Sequence, residues 1–513
     1  MSQPSEFGKI RSFLWPIHAH EIKKILPMFF MLFFISFNYT ILRDTKDTLV
    51  VTGGGAEVIP FLKVWGVVPA AILFMLVYSK LSNILSKTKL FYTTITPFLV
   101  FFGLFALVIY PNIDSLHPTT SADALASFLP KGLGGLVACY RNWTYSLFYV
   151  LSELWGSAVL SLLFWGFAND ITRVTEAKRF YTLFGLGANV ALLFSGPTIM
   201  YFSNIRSMYA TDAEAWGVTL NYLMALVVFA GIATMLIYSW IHKNVLTDPR
   251  FYNPDEVKKK KEKPKMSMVD SFKYLLSSKY ILCLAAIVMA YGVSINLVEV
   301  TWKSQLKMQY PSANDYNAFM GMYSTILGAV TIVMMLFGGS NIIRRFGWTF
   351  AALSTPTLLL ATGAAFFAFI IFKDSLGGFV AAMGTTPLFM AVMFGMIQNI
   401  MSKSAKYSLF DPTKEMAYIP LDQEQKVKGK AAVDVVGARL GKSGGSLAQQ
   451  GLLLMFGQLS LITPYIGGLL LLIMVGWFAA ARSLGKQFGE LTTEAQPEKE
   501  PATVTAKPAT ATN

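Results

Sequence analysis

Charge is scarce in this chain. Only 14% of its 513 residues are Asp, Glu, Lys or Arg, 54% are hydrophobic, and the mean hydropathy is +0.50. A soluble domain carries about 25% charged residues, so a soluble globular fold is excluded and a polytopic membrane protein is expected. Cysteine is nearly absent. Cys139 and Cys283 lie far apart and form no CxxC or zinc spacing, which speaks against disulfide and zinc scaffolds. The four histidines show no metal spacing, and no Ser/His/Asp arrangement is evident. Neither a metal nor a cofactor is expected, and nothing points to an enzyme. Acidic residues are the rarer charge, 29 against 43 basic, for a net charge of +14. No cleavable signal peptide is expected, because Lys9, Arg11, Glu21, Lys23 and Lys24 precede any long apolar run and no small-residue cleavage site follows a compact core.

What is present is a series of twelve apolar runs, most near the ~20 residues that cross a bilayer. They predict an all-α membrane protein with twelve transmembrane helices in a major-facilitator-like arrangement of two six-helix halves. Residues 1–26 are expected to form an amphipathic segment on the cytoplasmic surface, 27–241 the first half, 242–279 a basic linker, 280–482 the second half and 483–513 a disordered tail. With both termini inside, cytoplasmic segments hold 32 Lys/Arg and outer loops 8, which fits the positive-inside rule. The Lys258–Lys261 run is therefore read as a solvated linker facing anionic lipid, not a nucleic-acid site. A weak internal repeat supports duplication. Asn38 matches Asn296, and Ser82-Asn83-Ile84-Leu85 matches Ser340-Asn341-Ile342-Ile343, both at an offset of 258 residues. Asn112–Asn142 reads as a long outer loop and Lys403–Ala432 as a long cytoplasmic loop.

Polar residues at membrane depth are the exceptions. Arg439 and Lys442 stand three residues apart in the Val433–Leu454 run, so they share a helical face. Burying each costs roughly 2.5–3.5 kcal/mol on an insertion scale, so such residues normally face a watery cavity and meet an anion. Ser446 shares this run. Arg43 and Lys46 end the first span, Tyr145, Tyr149 and Glu153 recur every fourth residue in the fourth, and Asn296, Glu299 and Lys303 share a face of the seventh. One reading is mutual neutralisation, with Glu153 and Glu299 pairing Lys46 and Lys442. The excess of cations over carboxylates instead asks for an anionic ligand, and phosphates suit Lys point charges and Arg forks. Tyr145 or Tyr149 could stack on a base.

Two tempting motifs fail. V-G-A-R-L-G-K-S has three residues between its glycines rather than four and follows no soluble strand, so it is not a P-loop. Gly437, Gly441 and Gly445 instead suit close helix packing. Gly53–Gly55 is a turn, not a nucleotide fingerprint.

Three segments carry a family resemblance: I-L-R-D-T-K-D-T-L-V-V-T at 41–52, K-Y-S-L-F-D-P-T-K-E-M-A-Y-I-P-L-D at 406–422 and G-K-A-A-V-D-V-V-G-A-R-L-G-K-S at 429–443. On these the chain resembles the TLC-type ATP/ADP translocases of chlamydiae, rickettsiae and plastids, from about residue 15 to residue 485. The resemblance implies import of ATP in exchange for ADP, with phosphate accompanying ADP. It implies essential charges at Lys46, Glu153, Glu299 and Lys442, a monomer, and a bacterial inner membrane ahead of a plastid envelope. The family also holds proton-coupled nucleotide importers and members with other nucleotide preferences, and these motifs do not separate them. A membrane enzyme acting on phosphates would need a base, nucleophile or metal cluster that the sequence does not display.

Overall fold

The computed structural model describes residues 17–209, 211–252, 278–433 and 437–494. Most of the N-terminal segment, the core of the basic linker with Lys258–Lys261, residues 434–436 and the tail beyond 494 lie outside them. We number the main helices α1 (Ile22–Gly54), α2 (Val58–Ile84), α3 (Lys87–Leu116), α4 (Trp143–Ile171), α5 (Val174–Ser203) and α6 (Asp212–Asn244). After the linker come α7 (Lys279–Gln309), α8 (Ala313–Gly338), α9 (Asn341–Ile371), α10 (Pro387–Ala417), α11 (Ala438–Phe456) and α12 (Leu459–Glu494).

Among the described residues ten helices are long and apolar enough to cross a membrane. An eleventh candidate is the pair Lys373–Ala382 and Pro387–Ala417, bent by 94°. The twelfth helix, α11, is the polar one, and composition alone does not qualify it. Its place comes from packing: α11 lies along α7 and touches the Val58–Phe61 and Leu62–Val67 parts of α2. The glycine spacing explains how closely. A Cβ added at Gly441 would stand 3.0 Å from the Met289 carbonyl, and one at Gly445 2.9 Å from the Asn296 Cβ.

Local signals set several boundaries. Ser86, Thr211 and Thr386 accept from backbone N–H groups three residues on and open α3, α6 and α10. Gly55, at φ 98°, stops α1. Two segments that read as loops from their polarity contain helix. Asn112–Asn142 holds Thr119–Phe128 and Gly134–Arg141. Lys403–Ala432 extends α10 to Ala417 and adds Gln423–Ala432, because Phe410 and Ala417 are buried and Phe410 stacks on Tyr291 at 4.9 Å. At the other end of the chain, α12 runs well past its apolar stretch to Glu494.

The contact pattern of the first six helices recurs in the last six. α1 packs on α5 and α6 as α7 packs on α11 and α12, and α3 meets α6 as α9 meets α12. Buried apolar residues fall into two clusters, one drawn from residues 17–251 and the other mainly from 280–484. The two sets of helices meet along α5 and α8, and along α2 and α11. The α5–α8 contact is backbone to backbone, since a Cβ on Gly196 would lie 2.5 Å from the Gly321 carbonyl.

One face of the bundle gathers the starts of α1 and α5 and the end of α6. There the buried Lys24 meets Glu176 at 2.7 Å and donates to the Phe251 carbonyl, while Arg179 grips Glu21 through two bonds of 2.7 and 2.6 Å. We call this the terminal face and its opposite, where α1 ends, the Gly55 face.

Candidate translocation site

The charged residues of α1, α2, α4, α7 and α10 converge midway between the two sets of helices. α1 positions Lys46 and Asp47 side by side. Lys46 lies 2.8 Å from Asp47 and 3.0 Å from Glu153 of α4, and its ammonium sits 3.9 Å from the centre of the Tyr149 ring. The ring face offers a cation a favourable quadrupole where water is absent. The other Asp47 oxygen takes Lys303 of α7 at 2.8 Å, so one buried carboxylate joins a lysine from each half.

Glu299, one turn before Lys303, collects three lysines: Lys303 at 3.2 Å, Lys63 of α2 at 3.4 Å and Lys403 of α10 at 3.6 Å. Lys63 also donates to Asn296, whose amide in turn donates to the Lys442 backbone carbonyl at 2.6 Å. Four lysines thus share three carboxylates and leave one positive charge in excess. Arg43 is self-contained, held by Asp44 at 3.0 Å and donating to Ser324 of α8 at 2.7 Å.

Exposure grades these groups. Lys46, Asp47 and Lys303 are 2–3% exposed, whereas Glu153, Lys63, Lys403 and Glu299 reach 29, 23, 22 and 17%. Toward the Gly55 face the halves are tied: Thr48 donates to Asn317, Asn317 to Ser203, Thr219 to Asn314, and Gln450 bridges Trp65 and the Pro60 carbonyl. Toward the terminal face, the Val68–Ile84 stretch of α2 has no buried residue, and Leu440 and Lys442 of α11 are exposed.

The sequence-derived candidates divide accordingly. Lys46, Glu153, Asn296, Glu299 and Lys303 belong to one network, with Tyr149 beneath Lys46 and Arg43 beside it. Lys442 joins it through its backbone; its side chain is exposed, and Glu299 pairs with Lys63, Lys303 and Lys403 instead of Lys442. Tyr145 points elsewhere, edge-on to His117 at 5.1 Å and against Gly53. Ser446 is buried with no hydrogen-bond partner for its hydroxyl among the described residues. The Arg439 side chain lies outside the described residues.

Sequence reasoning missed Asp47, Lys63 and Lys403. Asp47 stood beside Lys46 in the motif. Lys63 was the lone charge deep in the second apolar run, which is a signal in itself. Lys403 stood at the end of a span and read as a topology charge.

Such a network between two packed six-helix sets defines a membrane carrier of major-facilitator architecture. The fold agrees with solved transporters. A bacterial homologue of the iron transporter ferroportin, in its inward-facing state, superposes with a TM-score of 0.52 at 12% identity, covering 93% of this chain and all of that one. A D-xylose–proton symporter gives 0.50 at 12% identity, covering 91 and 98%. The sequence narrows the class. Residues 1–488 match the family described as TLC ATP/ADP transporter. The ADP,ATP carrier protein 1 of Chlamydia muridarum is 61% identical over 99% of this chain and 96% of its own length. The chloroplastic ADP,ATP carrier protein 1 of Arabidopsis thaliana is 55% identical over 95 and 77%, and the Rickettsia bellii carrier 44% over 94 and 96%. This chain belongs to the TLC ATP/ADP transporter family.

Proposed function

We propose that the protein is an ATP/ADP antiporter that imports ATP in exchange for ADP by alternating access, with both termini in the cytoplasm of a bacterium and the bundle in its inner membrane. The observation that carries this reading is the lysine excess at the seam between the halves. An empty site holding more cations than carboxylates is incomplete until a polyanion enters. Phosphates drawn to lysines of both halves pull those halves together, so the loaded carrier closes more readily than the empty one, and exchange is favoured over one-way flow.

Each residue has a role in this scheme. Lys46 and Glu153 form the N-terminal wall, with Tyr149 holding the lysine in place. Glu299, Lys303 and Asn296 form the C-terminal wall. Lys442, whose side chain is exposed, is the cation offered to incoming phosphate. Since ATP carries one more negative charge than ADP, exchange would work against the membrane potential at about 2.3 kcal/mol per charge per 100 mV. Phosphate leaving with ADP as the monoanion H2PO4− balances that charge, so we include it as a co-substrate.

The test is substrate competition in proteoliposomes of the purified chain. Unlabelled ADP and ATP are expected to suppress uptake of labelled ATP, and adenosine is not. Failure of ADP to compete would overturn the antiporter assignment. Full uptake by Lys442→Ala would remove that residue from the site.

A further inference from the structure

The lysines of the central network are not equivalent. Lys46 and Lys303 each hold two carboxylates and are 2–3% exposed. Lys63 and Lys403 come from different helices, α2 and α10. Among the described residues each has one carboxylate partner, the shared Glu299, at the long distances of 3.4 and 3.6 Å, and they are 23 and 22% exposed. Lys403 also stands 5.3 Å over the Tyr323 ring. A single carboxylate ringed by three ammonium groups from α2, α7 and α10 is the coordination a phosphoryl group would take.

We propose that Lys63 and Lys403 form a phosphoryl cradle and that Glu299 stands in for the phosphoryl group while the carrier is empty. This rests on the nucleotide-exchange reading and adds to it two substrate-binding residues and a displaceable internal anion. Entry of a phosphoryl group draws Lys63 and Lys403 off Glu299. The carboxylate is not orphaned by that exchange, because Lys303, four residues along the same helix at 3.2 Å, remains with it. Lys303 in turn keeps Asp47. No buried charge is left alone, so the swap avoids the large penalty of breaking a buried pair. The terminal phosphoryl group of a bound ATP or ADP, beyond the reach of the α-phosphate of AMP, and free inorganic phosphate share this chemistry, and the cradle accepts either.

The experiment measures binding of ATP, AMP, tripolyphosphate and inorganic phosphate to the full chain in nanodiscs by calorimetry, with unfolding temperatures recorded for every variant. Lys63→Gln and Lys403→Gln are expected to weaken ATP and tripolyphosphate by roughly tenfold or more each, the scale of one charged hydrogen bond, and AMP by much less. Lys403→Arg should restore most of the ATP binding. Glu299→Gln should bind tripolyphosphate and inorganic phosphate more tightly than the unaltered chain, because its lysines are no longer occupied. Weaker phosphate binding by Glu299→Gln, or equal losses for ATP and AMP in the lysine variants, would overturn the cradle. The nucleotide reading fails separately. If tripolyphosphate binds and responds to these variants while ATP does not compete with it, the cradle stands and the nucleotide assignment falls.

Discussion

Asp47→Asn isolates the contact that couples the halves. Asp47 is 2% exposed and takes Lys46 on one oxygen and Lys303 on the other, each at 2.8 Å. At an effective dielectric near 20, two unit charges at that separation attract by about 6 kcal/mol, and desolvation offsets part of this. Removing one partner of a buried pair costs about 3–5 kcal/mol. Only the Lys303 arm crosses between halves, so the share that biases closure of the Gly55 face is near the lower figure. Since about 1.4 kcal/mol is tenfold in an equilibrium, ~3 kcal/mol shifts closed against open by about 100-fold. Val50 reports that shift, because it is 3% exposed and packs into the cluster of the C-terminal half. A Val50→Cys probe in a background without Cys139 and Cys283 should react with an impermeant maleimide at the Gly55 face. Asp47→Asn is expected to raise its labelling rate by roughly ten- to 100-fold. Adding Lys303→Gln should change it little further, because the bridge between Asp47 and Lys303 is already broken in the single variant. An unchanged rate in a folded Asp47→Asn protein would refute the claim that this ion pair holds that face shut.

Three further changes have defined outcomes. Lys24→Met takes the buried ammonium from Glu176, which still accepts from the Arg173 backbone N–H, and should cost up to about 3–5 kcal/mol, read as a lower unfolding temperature that Lys24→Met with Glu176→Leu partly restores. Tyr149→Phe should transport normally, since the hydroxyl has no hydrogen-bond partner among the described residues, whereas Tyr149→Leu loses the ring under Lys46, worth about 0.5–2 kcal/mol, and should be impaired. Gly196→Ala places a methyl 2.5 Å from the Gly321 carbonyl, so α5 and α8 must separate; a lower unfolding temperature and reduced uptake are expected, and unchanged values would contradict the close approach.

Much of the fold was legible because membrane helices announce themselves by apolar length. α11 was legible for the opposite reason: Arg439, Lys442 and Ser446 made it anomalous, and only its glycines hinted that α7 would cover it. The site was half legible. Helical periodicity put Asn296, Glu299 and Lys303 on one face and Tyr149 with Glu153 on another, and both faces turned inward. Periodicity within one helix says nothing about which partners a neighbouring helix brings. Of the mutual-neutralisation reading, Glu153 does pair with Lys46, whereas Glu299 takes Lys63 and Lys403, supplied by α2 and α10, and not Lys442. Tyr145 shares the helical face of Tyr149 yet lies a turn nearer the Gly55 face, where His117 from the α3–α4 segment occupies its edge. Asn112–Asn142, despite its amphipathic stretch, and Lys403–Ala432 read as loops because Thr119–Phe128 and Gln423–Ala432 are only 10 residues each and lie between the long apolar runs.

The central claim is obligatory exchange driven by phosphate at the lysine-rich seam. Its most direct test is uptake of labelled ATP into proteoliposomes preloaded with ADP plus phosphate, with buffer alone, or with buffer alone under an imposed proton gradient. The account predicts rapid uptake only into vesicles preloaded with ADP plus phosphate, with labelled ATP entering as ADP leaves. Equal uptake into empty vesicles, or uptake there that follows the proton gradient, would contradict it.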